Sequence, residues 1–329
     1  MPNNFDWAQI DSPEKFDEIA LNRYRDQYTH VAVYREFCDH LGRSPERVDT
    51  VEQIPYLPIS FFKTHQVLRQ GSVLNRFFTS SATTGMVPSK HYVPRIDVYE
   101  ASFRLGWELF YGPIENFCVL ALLPSYLERT GSSLVYMAQD MIQRSKHPKS
   151  GFYLDQYQDL SETILHLEAT QTPTLLLGVT FALLDFAEQY PMNLKHTIVM
   201  ETGGMKGRGR EMIREEVHQK LSTAWGGLSI HSEYGMTELL SQAYSRGNGV
   251  FSCPPWMRVN LRDTEDPLTR LPEGQSGGID IIDLANVDSC SFISTQDLGR
   301  STGPGQFKVL GRFDHAEIRG CNLLVAVHQ

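Results

Sequence analysis

The chain has 329 residues, of which 41% are hydrophobic and 21% charged, with a formal net charge of −9. That is ordinary globular composition, long enough for a large core and more than one packed sub-unit. The acidic balance argues against a nucleic-acid partner, because a phosphate backbone is repelled. A phosphate that does bind must be held locally by hydroxyls, backbone N–H groups, a helix N-terminus or a metal ion. No apolar run approaches the length of a membrane span, and Met1 to Asp11 lacks the apolar segment of a secretory signal. The five cysteines, at 38, 118, 253, 290 and 321, form no Cys-x-x-Cys pair. They point to a reduced, cytoplasmic protein rather than a disulfide framework or a zinc site.

Asp11-Ser12-Pro13 marks a helix start, and Phe16, Ile19, Ala20 and Tyr24 follow at helical spacing. A second helix is expected over 31–41, before Pro55 and Pro58 break the chain. Phe77 and Phe78 lead into a Ser/Thr-rich loop. Residues 97–110 read as a helix and 117–123 as a buried strand. The alternation continues with helix 160–169, strand 174–177, helix 181–190, strand 196–200, a Gly203-Gly204 turn and helix 208–221. This order predicts an α/β fold with a mostly parallel sheet. After Cys253 the texture changes, and alternating segments such as Gly278-Ile279-Asp280-Ile281-Ile282 predict a β-rich C-terminal part. We therefore divide the chain softly into a core over 1–250 and a smaller sub-unit over 251–329, with a single domain as the alternative reading.

Four short polar segments carry the chemistry. Thr79 to Gly85 offers the hydroxyls of Ser80, Ser81, Thr83 and Thr84, with Gly85 permitting close backbone approach. It reads as a phosphate loop or as a polar surface turn, and it lacks the Gly-Lys-Ser/Thr ending of a Walker A motif. Glu233 to Glu238 reads as a metal and nucleotide segment or as a capped turn. A hard carboxylate such as Glu238 suits Mg²⁺ shared with phosphate. Asp297, after Phe292-Ile293, is expected to end a strand, where a carboxylate can take both ribose hydroxyls. Arg312 reads as a ribose or phosphate contact, or as half of a surface ion pair. Lys206, Arg208, Arg210 and Arg214 form a basic cluster that suits a solvated helix face or an anion site. Ser229 lies one residue short of a nucleophile elbow, so a hydrolase reading is weak. His91 fits a satisfied structural histidine better than a substrate contact.

As a set and in this order, these segments resemble the nucleotide site of the adenylate-forming enzymes, the acyl-CoA synthetases and their relatives. Within that group the chain looks most like the acyl-protein synthetase (LuxE) family, through Leu57 to Lys63, Leu123 to Arg129, Tyr234 to Glu238, and Gly311 to Asp314 continuing through Cys321. The resemblance implies an adenylate-forming N-terminal-domain-like fold without the usual C-terminal lid, and two cofactors, ATP and Mg²⁺. It implies that Tyr234 and the Gly203-Gly204 turn frame adenine and that Gly235 lies in the same turn. Thr237 would contact the α-phosphate, Asp297 the ribose, and Glu238 would hold Mg²⁺. The family usually has glycine where this chain has Ala82, which puts the loop's shape in question.

The implied activity is ATP-dependent conversion of a carboxylic acid, a fatty acid in the family, to an acyl-adenylate. The acyl group would then pass to Cys321, near the C-terminus, as a thioester. Cys321 also reads as a small buried hydrophobe, since Leu323, Leu324 and Val325 follow it. Lys63 would stand in for the lid's lysine, or else is a structural lysine. The implied partners are the acid itself and an acyl reductase, carrier or transferase protein, and a homo-oligomer is compatible with the sequence. Two other readings stay open: transfer to coenzyme A or a carrier thiol with a partner supplying the lid, and a non-catalytic nucleotide- or acyl-binding subunit.

Overall fold

The computed structural model describes residues 5–80, 87–124, 131–203 and 212–312. Helix α1 (Pro13–His30) starts where Ser12 accepts a hydrogen bond from the Lys15 N–H, with Pro13 in the first turn. Its buried side chains include the expected Phe16, Ile19, Ala20 and Tyr24. Helix α2 (Ala32–His40) follows. Strand β1 (Leu57–Pro58) and the short helix α3 (Phe61–Thr64) occupy the stretch after the proline break. Strands β2 (Phe77–Thr79) and β3 (Lys90–Tyr92) form an antiparallel pair that carries the Ser/Thr loop between them.

The α/β alternation is borne out. In order come α4 (Ile96–Tyr111), β4 (Cys118–Leu122), α5 (Ser133–Ser145), β5 (Gly151–Tyr153), α6 (Tyr157–Ala169), β6 (Thr174–Gly178), α7 (Thr180–Gln189), β7 (Thr197–Glu201) and α8 (Arg214–Ala224). The sequence reading missed α5, which opens on a Ser132 cap. It also began α8 at Arg208, whereas the helix observed starts at Arg214 and runs three residues past Leu221. Strands β4 and β6 are buried along their whole length, as expected of parallel strands covered on both faces.

After β8 (His231–Tyr234) the sheet turns antiparallel through β9 (Ala243–Ser245), β10 (Val250–Ser252), β11 (Met257–Arg262), β12 (Ser276–Asp283), β13 (Phe292–Gly303) and β14 (Gln306–Arg312). Among the described residues one sheet runs in the order β11-β12-β13-β14-β10-β9-β8-β7-β6-β4-β5, with β1 parallel to β13. It is parallel from β5 to β8 and antiparallel beyond.

The N-terminal helices cover the β-rich end of this sheet. The Arg23 guanidinium donates to the Leu284 carbonyl, and Gln27 Nε2 donates to the Asn286 carbonyl at 2.8 Å. Gln27 also accepts from the Ser291 N–H at 2.9 Å. Tyr34 stacks on Phe292 with centroids 6.0 Å apart. The first and last thirds of the chain thus share one core, and the β2–β3 hairpin, β8 and β13 meet beside it.

Candidate active site

Strand β8 presents two faces because its side chains alternate. Ser232 and Tyr234 are buried on one face, while His231 and Glu233 occupy the other and keep partial exposure. The Tyr234 ring packs edge-on against Phe251 and Phe307, and its hydroxyl donates to Asp297 Oδ2 at 2.8 Å. Burial and then the Asp297 carboxylate push the phenol well above its usual pKa, so it remains a donor. Asp297 lies opposite Arg312 in the β13–β14 register, and Arg312 Nε reaches Asp297 Oδ1 at 3.3 Å. The Thr295 hydroxyl accepts from the Asp297 N–H at 3.1 Å. Asp297 was expected to end a strand. It sits instead inside β13, where a register shift between Leu298 and Gly299 breaks the regular pairing. Arg312 is an ion-pair partner, yet 52% of its side chain remains exposed.

The turn after Tyr234 brings Glu238 back into the protein at 4% exposure. Burial raises its pKa, and a Ser89 hydrogen bond, Arg312 and Lys63 pull it partly back. Lys63, on α3, is therefore within electrostatic reach of this carboxylate. Ser89 belongs to the β2–β3 hairpin, where its N–H donates to Ser80 Oγ at 2.9 Å and its carbonyl accepts from the Ser80 N–H. Ser80 thus braces the base of the phosphate loop.

His91 fastens the hairpin to the turn. Its Nδ1 meets the Thr237 carbonyl at 2.8 Å and its Nε2 meets Asn286 Oδ1 at 3.1 Å. Asn286 Nδ2 donates to the Glu238 carbonyl at 2.9 Å. Complete burial drives the His91 pKa down against these two contacts, to about 4. His91 is the satisfied structural histidine that the sequence favoured.

Gly203 follows β7 with φ of 75°, a conformation that favours glycine. Its N–H donates to Glu201 Oε2 at 2.7 Å, and its carbonyl accepts from the Thr180 N–H at 3.0 Å. Glu201 also takes Arg214 Nε at 3.1 Å and lies 3.5 Å from His218 Nε2. Burial pushes this carboxyl up, but His218, Arg214 and the Gly203 N–H outweigh it and leave a pKa of about 2. Arg214 also donates to the Val309 carbonyl and lies over the Phe251 ring. Arg214 is a partly buried tie between α8, β7 and β14, where the basic cluster had suggested a solvated helix face or an anion site. Glu201 was invisible as a functional residue because its partners are distant in sequence.

Asp283 was also missed. This buried carboxyl accepts from the Leu240 and Ser241 N–H groups and from the Ser241 hydroxyl, which fixes the end of the 234–241 segment. Gly235 has a close neighbour: a Cβ there would meet Glu233 Oε1 at 2.3 Å.

The structure therefore gathers Lys63, Ser80, Thr237, Glu238, Tyr234, Asp297 and Arg312 around one turn, with Gly203 beyond the neighbouring strand. Ser81, Thr83, Thr84, Gly85, Gly204 and Cys321 lie outside the described residues. The same holds for Lys206, Arg208 and Arg210. No cluster of three or more histidine, cysteine or carboxylate side chains occurs among the described residues. The lone buried Glu238 fits a hard cation that takes its other ligands from phosphate and water. Among the described residues no helix is long and apolar enough to cross a membrane.

Comparison with known proteins agrees with this architecture. The acyl-protein synthetase family, LuxE, matches residues 2–118. The long-chain-fatty-acid–luciferin-component ligase of Vibrio harveyi is 24% identical over 96% of this chain and 89% of its own length. Among solved structures, 2-hydroxyisobutyryl-CoA ligase with 2-HIB-AMP and CoA is 16% identical. It matches 93% of this chain and 70% of its own length, with a TM-score of 0.68. ATP-bound MatB from Rhodopseudomonas palustris is 20% identical over 74% of this chain, with a TM-score of 0.54, and this chain spans about half of its length. The chain is thus similar to the LuxE acyl-protein synthetases over residues 2–118 and to the Vibrio harveyi ligase over nearly its whole length, and it has the fold seen in 2-hydroxyisobutyryl-CoA ligase.

Proposed function

We propose that this chain uses ATP to activate a carboxylic acid as its acyl-adenylate and then moves the acyl group onto its own Cys321. The observation that carries the reading is the joining of Tyr234, Asp297 and Arg312 in one hydrogen-bonded unit beside a buried, incompletely neutralised Glu238. In the first step a carboxylate oxygen attacks the α-phosphorus of ATP and pyrophosphate leaves. In the second the Cys321 thiolate attacks the acyl carbon, the acyl–phosphate C–O bond breaks, and AMP leaves with that oxygen. Neither step needs further covalent help from the protein, because alignment and charge stabilisation supply the rate.

Asp297 would accept the ribose hydroxyls, with Tyr234 and Arg312 holding its carboxylate. Gly203 and Gly204 would line the adenine, and Ser80, Ser81, Thr83, Thr84, Gly85 and Thr237 would contact phosphates. Lys63 would screen charge near Glu238. A Mg²⁺ ion on Glu238 would offset charge between phosphates and help pyrophosphate depart.

The other cysteines support the choice of acceptor. Burial pushes the thiols of Cys38 and Cys253 up to about 12 and raises Cys118 and Cys290 as well, which makes all four poor nucleophiles. The downstream partner would be an acyl reductase, carrier or transferase. The test is pyrophosphate release over a panel of acids, followed by intact-protein mass. Release with an acyl-sized mass gain that Cys321→Ser abolishes is expected. Release without that gain would move the acceptor to coenzyme A or a carrier thiol. No release from any acid would leave a nucleotide-binding subunit.

A further inference from the structure

A network of side chains lies behind the nucleotide residues, centred on Glu201 at the end of β7. Its carboxylate accepts from the Gly203 N–H at 2.7 Å, from Thr180 Oγ1 at 3.1 Å and from Arg214 Nε at 3.1 Å. His218 Nε2 lies 3.5 Å from the same carboxylate and 3.2 Å from Ser232 Oγ on β8. Arg214 carries the network to the far strands. Its guanidinium donates to the Val309 carbonyl on β14 at 3.2 Å and lies 4.9 Å over the Phe251 ring. Phe251 packs in turn on Tyr234, whose hydroxyl holds Asp297. A Cβ on Gly249 would come 3.3 Å from Arg214 Cδ, so the turn between β9 and β10 closes on the arginine stem.

An unbroken series of contacts therefore runs from Gly203 through Glu201, Arg214, Phe251 and Tyr234 to Asp297. At one end, both polar groups of Gly203 are engaged inside the protein, the N–H by Glu201 and the carbonyl by the Thr180 N–H. The turn thus meets a ligand through its position and its backbone surface. A Cβ on Gly203 would meet nothing within 4 Å among the described residues, so the space over the turn is open. Burial raises the Glu201 carboxyl, yet His218, Arg214 and the Gly203 N–H hold it at about 2, so the pair with Arg214 is ionic at neutral pH. Charge-assisted hydrogen bonds are short and directional, which suits them to fixing one element against another.

We infer that Glu201 and Arg214 are a positioning pair for the nucleotide base: they hold the Gly203 turn at a fixed place relative to Asp297 and Arg312, and so set the preference for adenine over other bases. This rests on the adenylate-forming reading, which puts adenine against that turn and ribose on Asp297. Neither residue touches the nucleotide in this account. Arg214 belongs to the basic cluster, but its guanidinium is committed to Glu201 and to β14 rather than to a bound anion.

The test is calorimetric binding of ATP and of GTP, each with Mg²⁺, to the full chain without an acid, so turnover plays no part. Wild type is expected to prefer ATP by about 10-fold or more. Arg214→Met removes both donors, and Glu201→Gln keeps an acceptor for the Gly203 N–H but no charge for the arginine. Each should weaken ATP roughly 3- to 30-fold and GTP by less, so the preference shrinks. Arg214→Lys keeps the charge and should retain part of the preference. Melting temperatures are read alongside, because a purely structural role lowers them and leaves the ratio of ATP to GTP affinity unchanged. Should Arg214→Met fail to fold, Glu201→Gln and Arg214→Lys decide the matter. An unchanged ratio in the folded variants, or equal binding of ATP and GTP by wild type, would overturn the inference. No binding of either nucleotide by wild type would overturn it together with the ATP-dependent reading. A preference that the variants lose, with no pyrophosphate release from any acid, would sink only the adenylation chemistry and leave the positioning pair standing.

Discussion

Asp297 shows how one residue is made specific by its neighbours. Its carboxylate is held by a buried phenol on one oxygen and by a guanidinium on the other, so its orientation is set before any nucleotide arrives. Asp297→Ala removes a charged acceptor from the Tyr234 hydroxyl and from Arg312. Charged hydrogen bonds contribute about 1.5–3 kcal/mol each, so KM for ATP is expected to rise roughly 10- to 100-fold. Tyr234→Phe should have a smaller effect, because Arg312 still orients the carboxylate. Pyrophosphate-release kinetics measure both, and equal KM values for Asp297→Ala and wild type would remove Asp297 from the nucleotide site. Residue identity alone had suggested Asp297 and Tyr234 as separate contacts. Their hydrogen bond joins positions 63 apart in sequence and needed the fold.

The hairpin and the turn are the elements that the site depends on, and His91 links them. The ring faces two oxygens, an arrangement that favours imidazolium, yet complete burial wins and holds the pKa near 4. An unfolded histidine titrates near 6.5. Between about pH 6.5 and 4 the unfolded chain therefore binds a proton that the folded chain refuses. Stability is full above pH 6.5 and declines as pH falls through that window. His231, also held near 4 by burial and then Arg246, adds to the slope. Urea midpoints measured from pH 7.5 to 4.5 should fall, and His91→Gln should flatten the fall. An unchanged slope in that variant would mean that His91 titrates normally. The periodicity of the sequence located most of the described helices and strands β4, β6 and β7, but the role of the hairpin was hidden. A three-residue strand pair has too few alternating positions to announce itself.

At the scale of the whole molecule, the N-terminal helices serve the distant site. Gln27 is fully buried and makes hydrogen bonds to Asn286 and Ser291, and Asn286 in turn holds the Glu238 carbonyl and faces His91. Gln27→Ala leaves the buried Ser291 N–H without its partner and takes one of two donors from the Asn286 carbonyl, which keeps the Ser291 hydroxyl. It should cost on the order of 2–4 kcal/mol in urea unfolding. It should also raise KM for ATP, since the Glu238 turn loses its support. A destabilised variant with unchanged KM would show that the N-terminal helices stabilise the fold without tuning the site.

The sequence by itself determined the α/β alternation, the capped start of α1, the β-rich end and the polar segments that resemble an adenylate-forming site. Those are local facts, written in periodicity, caps and short motifs. Only the tertiary structure decided that Glu201 and Arg214 lock the Gly203 turn, that Asp283 anchors the end of the 234–241 segment, and that Glu233 pairs with Tyr244 of β9 on the face away from Tyr234. Each depends on the register of neighbouring strands or on a helix crossing the sheet. A one-residue shift in register would exchange the faces that Glu233 and Tyr234 occupy, and that choice is made by burial across the whole sheet.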